Sequence, residues 1–162
     1  MAMTMNGEVQ LAAAPETVWE KLNDPATLKA CIPGCEQLDK LSDTEMQAVA
    51  TVKIGPVKAK FKGKVTLSDL DPPNGYKISG QGDGGVAGFA KGGATVKLTP
   101  KDGGTLLAYD VEAQIGGKLA QLGQRLVNGA AKKVADDFFE NFAAAVNPKP
   151  ERRSGPSLMK LP

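Results

Sequence analysis

Two hydrophobic periods occupy separate blocks of this chain, and their order constrains the fold more than any motif does. Residues 57–67, VKAKFKGKVTL, alternate without a fault. Val57, Ala59, Phe61, Val65 and Leu67 fall on one side, and Lys58, Lys60, Lys62, Lys64 and Thr66 on the other. A period of two with one apolar and one charged face belongs to an antiparallel sheet with one wet side. Residues 118–146 instead repeat at steps of three and four through Leu119, Leu122, Leu126, Val127, Ala130, Val134, Phe138 and Phe142. That is one stripe of a helix. At 1.5 Å per residue it predicts a helix roughly 40 Å long. A small sheet covers such a helix only by wrapping it.

The rest of the chain fits between these blocks. Residues 4–11 read as a short strand. PETVWEKLND reads as a helix, with Pro15 in its first turn, Glu16 at its positive end, and Val18, Trp19 and Leu22 on one face. Asp24-Pro25 stops it and starts a second short helix over residues 25–30, and Pro33-Gly34 breaks the chain. TEMQAVATVKI then places Met46, Ala48, Ala50, Val52 and Ile54 on one side of a strand. After the turn DPPNG, YKISG returns, and GFAKGGATVKLTP turns Ala94, Val96 and Leu98 inward. The hairpin turn KDGG leads into TLLAYDVEAQI, with Leu107, Tyr109, Val111, Ala113 and Ile115 on one face. Lys132 with Asp136, and Lys133 with Asp137, form i,i+4 pairs on the outer side of the long helix. Strands in a run, with helices segregated from them, indicate an α+β domain with a curved antiparallel sheet of about six to seven strands. The 162 residues make one domain, assigned to residues 1–146. Residues 147–162 carry four prolines without periodicity and read as a flexible tail.

Composition removes several functions. The chain has no histidine, so no Ser-His-Asp or Cys-His relay is available. With only two cysteines, a four-ligand zinc site would need two carboxylates, so no metal site is expected. A net charge of +2 does not call for nucleic acid. The start lacks the basic and apolar regions of a secretory signal, and no apolar run is long enough to span a bilayer. A cytoplasmic protein is the expectation.

Three local features admit a chemical and a structural reading. Cys31 and Cys35 flank Pro33-Gly34 as CxxxC, which is not the CxxC spacing of a redox pair. They are expected to be a small hydrophobe and part of a turn. The stretch 80–93, GQGDGGVAGFAKGG, has glycines at phosphate-loop spacing but is followed by strand pattern rather than a helix, so it reads as a flexible loop or lid. Lys58, Lys60, Lys62 and Lys64, with Lys53 on the preceding strand, form either a solvated face that protects the sheet or a basic patch for an anionic lipid or an acidic partner.

PETVWEKLNDPATLKACIPGCEQL, the strand pair VKIGPVKAKFKGKVTL, DPP, GGTLLAYDVEAQIGGKLAQLGQRLV and FFENF, in that order, resemble the CoxG family, the G-subunit family of carbon monoxide dehydrogenase. That family lies within the START-like (SRPBCC) superfamily, so the resemblance implies the helix-grip, Bet v 1-like fold. It covers residues 4–146. It implies a non-catalytic accessory protein of a molybdenum hydroxylase of the carbon monoxide dehydrogenase type, at the inner face of the cytoplasmic membrane. Partners would be the hydroxylase subunits and, peripherally, the membrane, with a bound quinone or lipid and no covalent cofactor. Members that anchor the enzyme carry a long Pro-rich linker and a C-terminal hydrophobic segment; the stretch SLMKLP here is too short and polar to insert stably.

The resemblance also implies an internal apolar pocket. The inward side chains assigned to it are Trp19, Phe61, Val65, Phe89, Val96, Tyr109, Leu119, Leu122 and Leu126. Small inward residues, Ala48, Ala50, Ala59, Gly63, Ala94 and Ala113, mean either such a pocket or close backbone packing. Tyr109 offers a hydroxyl to a ligand or to the backbone. Two other functions stay open: a docking or assembly module with a filled core, and a polyketide-cyclase-like enzyme using Tyr109, Asp110 or Glu112. The last two carboxylates fall on the outward parity of their strand.

Overall fold

The computed structural model describes residues 1–147. Seven strands form one antiparallel sheet in the order β1-β7-β6-β5-β4-β3-β2. They are β1 (Ala2–Leu11), β2 (Cys35–Lys40), β3 (Glu45–Ile54), β4 (Val57–Asp71), β5 (Gly75–Asp83), β6 (Phe89–Lys101) and β7 (Gly104–Gly116). Helices α1 (Pro15–Leu22) and α2 (Pro25–Cys31) separate β1 from β2, and α3 (Lys118–Gln121) and α4 (Gln124–Val146) follow β7. The expected helix-grip arrangement is therefore present.

The alternation of β4 is kept in full. Val57, Ala59, Phe61, Val65 and Leu67 are buried or half-buried, and all four lysines between them are exposed. The turn at IPGC is structural. Gly34 has φ of 78°, and a Cβ there would lie 2.1 Å from the Thr51 carbonyl oxygen. No residue but glycine fits.

Three expectations need correction. The last helix is not continuous: it breaks at Leu122-Gly123, where Gly123 has φ of 92°, so α4 is about 35 Å long by its 23 residues. The stretch 80–93 is mostly strand. Only residues 84–88 leave the sheet, and Gly85–Ala87 form one 3₁₀ turn. At the C-terminus, Asn147 belongs with the domain, because it caps α4 and its side-chain oxygen accepts the Ala12 N–H at 2.8 Å. The rest of the tail assignment falls on 148–162, outside the described residues.

The core consists of two clusters. One holds Leu11, Val18, Leu22, Cys31, Leu67, Tyr76, Leu98, Leu107, Phe142 and Val146, and ties α1, α2 and the C-terminal part of α4 to the sheet. The other holds Met3, Ile115, Leu119 and Val127, at the end formed by the β3–β4 hairpin, α3 and the start of α4. Asn141 links α4 to α2 by donating to the Cys31 carbonyl at 3.0 Å.

Candidate functional site: a bare inner face

The inner face of the sheet carries two rows of small residues where the two clusters meet. Cross-strand register aligns Ala48, Gly63, Gly82 and Ala90 in one row over β3–β6. The adjacent row over β4–β7 is Val65, Gly80, Gly92 and Ala113. Only Val65 in these rows is larger than alanine. The glycines have a local cause. A Cβ at Gly63 or Gly80 would stand 2.9 Å from a carbonyl oxygen of the neighbouring strand, and one at Gly92 2.1 Å from the Glu112 oxygen. The strands bend too closely there for a side chain, and a bend in a curled sheet is a usual place for glycine.

The glycines are set by contacts within the sheet. The three atoms nearest a Cβ at Gly63, Gly80, Gly82 or Gly92 all belong to strands. Helix α4 lies closest to α2, β1 and β3, and between Val127 and Phe138 it carries Ala130, Ala131, Val134 and Ala135, none fully buried. The inward side chains around the glycines keep some solvent exposure. Phe61, Val65, Ile78, Ala94 and Val111 all face inward from the central strands, yet each is only half-buried, and Gly92 is exposed. Residues beneath a packed helix would be closed off. The inner face here is apolar and shallow, with Val65 and Ile78 packed toward the first cluster and Phe61 and Val111 toward the second.

The assigned pocket residues divide into groups. Phe61, Leu119 and Leu122 belong with the cluster at the α3 end, and Val65 packs against the other cluster. Trp19, Val96 and Tyr109 belong to the opposite wall. Trp19 packs edge-on to Tyr76 with ring centroids 5.2 Å apart, and Tyr109 stacks on Phe139 at 4.9 Å. Phe89 does not turn inward: it is 46% exposed on the outer face, its ring over Gly116. Leu126 is 44% exposed, beside Gly55 of the β3–β4 turn. Glycines 80, 82 and 92, with Ala90, are small inner-face positions that sequence reasoning missed. The i, i+2 spacing of Gly80 with Gly82, and of Ala90 with Gly92, was the available signal.

Polar chemistry lies away from these rows. Tyr109 crosses Gly7, where a Cβ would be 2.5 Å from its hydroxyl oxygen, toward a cleft of about 220 Å³ between β1 and α4 that also holds Asn128, Lys132 and Asp136. The Lys132–Asp136 pair, at 2.9 Å, holds the lysine pKa above its usual value through that hydrogen bond. Asp110 and Glu112 are exposed on the outer face. The Cys31 thiol is buried and the Cys35 thiol half-buried, and burial pushes both pKa values up. Lys53, Lys58, Lys60, Lys62 and Lys64 all face solvent, with Lys60 3.3 Å from Glu36 and Lys64 3.6 Å from Glu45. Among the described residues no helix is long and apolar enough to cross a membrane.

This architecture recurs in solved structures. A conserved protein from Geobacillus kaustophilus is 35% identical, with a TM-score of 0.83 over 89% of this chain and 95% of its own. The Zhui aromatase/cyclase from Streptomyces sp. R1128 shares the fold at 12% identity, with a TM-score of 0.67 over 99% of this chain and 100% of its own. Ara h 8.0201 does so at 15% identity, with a TM-score of 0.62 over 90% and 98%. No curated protein has a significantly similar sequence. The profile of CoxG, the G-subunit family of carbon monoxide dehydrogenase, matches residues 7–147, nearly the whole described domain, and the chain belongs to that family.

Proposed function

We propose that this protein is a non-catalytic accessory protein of a molybdenum hydroxylase of the carbon monoxide dehydrogenase type, and that it binds an apolar ligand, quinone or lipid, between sheet and α4. Family membership supports the first part. The observation that carries the second is the double row of glycine and alanine on the inner face, with half-buried Phe61, Val65, Ile78, Ala94 and Val111 around it. Filling that space with a hydrocarbon tail contributes about 25 cal/mol per Å² of apolar surface removed from water.

Membrane contact fits the end where the 3₁₀ turn, the β3–β4 hairpin and the α3–α4 junction lie. Val86 at the tip of that turn is 90% exposed and Leu126 is 44% exposed, with Lys53 and Lys58 paired at the base of the hairpin. An apolar tip flanked by lysines suits an anionic bilayer surface. A cyclase reading is less well served, since Asp110 and Glu112 lie on the wrong face and Tyr109 turns toward β1.

Native mass spectrometry of protein purified from its own host, followed by organic extraction, tests the ligand. The expected result is a bound species of quinone or lipid character. An empty protein whose melting temperature ignores menaquinone and ubiquinone analogues would leave a docking module with a closed core.

A further inference from the structure

We propose that the outer face of the sheet carries a docking groove for an extended acidic segment of a partner protein, independent of the ligand space on the other side. The groove has a volume of about 800 Å³ and crosses β3–β6. Its floor is the backbone of Gly63 and Gly82, which pair across β4 and β5. Lys62, Lys64, Lys91, Gln81, Asp83 and Phe89 stand around it.

The arrangement of charge is specific. Lys62 and Lys64 lie two residues apart on one strand face, about 7 Å. Lys91 shares the row of Lys64, with Gln81 between them, and so stands about 10 Å across. Alternate side chains of an extended chain are also about 7 Å apart, so carboxylates at i and i+2 match the two β4 amines. Among the described residues Lys62 and Lys91 enter no ion pair, and the Lys64–Glu45 pair at 3.6 Å is largely solvated, hence weak and exchangeable. Asp83 sits opposite Lys62 with its carboxylate accepting the Gly85 N–H at 2.8 Å. Its charge disfavours a carboxylate on the β5–β6 side of that row, beyond Lys62. There Phe89 lies exposed over Gly116, so that end suits an aromatic or apolar side chain.

Shape and charge choose the occupant. A floor of glycine backbone below long lysines admits a protruding chain rather than a planar bilayer. Residues 148–162 of this chain are themselves basic, with Lys149, Arg152, Arg153 and Lys160 against Glu151, so like charge keeps them out.

The test is fluorescence anisotropy of a labelled peptide in which glutamate and serine alternate and a phenylalanine follows. The variants are Lys62→Glu with Lys91→Glu, Phe89→Ala, and, as control, Lys77→Glu with Lys97→Glu, exposed lysines of the same face outside the groove. Saturable, salt-sensitive binding is expected, weakened at least about tenfold by the groove pair and less than about twofold by the control pair. Phe89→Ala should weaken binding of this peptide but not of one ending in serine. No saturable binding, or equal losses in both pairs, overturns the proposal. So does wild-type binding to vesicles of roughly one third phosphatidylglycerol in phosphatidylcholine that the groove pair abolishes while peptide binding is untouched.

Discussion

Among the described residues Thr105 is the fully buried polar side chain of the core, with no exposure, and its hydroxyl donates to the Ala13 carbonyl at 2.7 Å. That bond fixes the chain where β1 leaves the sheet for α1. Thr105→Val keeps the shape and strands the carbonyl, so urea unfolding should show a loss of about 1–3 kcal/mol. Thr105→Ser keeps the donor and should cost less; equal losses would assign the effect to packing instead. The cysteines make an opposite case, where a conspicuous pair does little. Burial raises both thiol pKa values, so near neutral pH each is less ionised than a free thiol. Alkylation by iodoacetamide at neutral pH should therefore be slower than that of free cysteine, with Cys35 ahead of Cys31, which reacts on unfolding. Reaction of either thiol faster than free cysteine would revive a redox or nucleophilic role.

At the scale of elements, helix α4 offers a paired test of backbone conformation. Gly129 is exposed in its interior with open space around it, and Gly129→Ala should stabilise by about 0.5–1 kcal/mol. Gly123 also has open space but φ of 92°, so Gly123→Ala should destabilise by about 1 kcal/mol. Thermal unfolding that shifts both variants the same way would mean that the break between α3 and α4 is not maintained by Gly123. The break also explains why the helical stripe misplaces Leu126. A stripe traced from Leu119 assumes one unbroken helix, and the turn at Gly123 resets the rotation, so Val127 is buried and Leu126 exposed. Phe89 was legible by its own parity: Ala94, Val96 and Leu98 point inward, which puts every odd position of β6 outward, Phe89 included. Glycine's weak strand preference concealed the strands within residues 80–93. By contrast, the lysine alternation of β4 and the apolar alternation of β7 needed no correction, because each carries charged residues that stay exposed on the outward face.

For the whole molecule, the question is whether the two core clusters enclose a space or merely a loosely drawn boundary. Ala94 decides it, since it lies on the inner face of β6 between Ile78 and Val111 and is only half-buried. In a filled interior Ala94→Phe must push neighbours off their rotamers, and overpacking of that kind costs about 1–3 kcal/mol. In an open one the ring takes up empty volume, adds buried apolar surface, and leaves the melting temperature unchanged or higher. It also occupies the space a quinone ring or acyl chain needs, so the stabilisation of wild-type protein by a menaquinone analogue should vanish in the variant. The two readouts are independent: stability reports the cavity, and the ligand-induced shift reports its use. Ala94→Phe that destabilises the protein while leaving a ligand shift intact would place the ligand elsewhere, with the cleft between β1 and α4 around Tyr109 and Lys132 the next site to block.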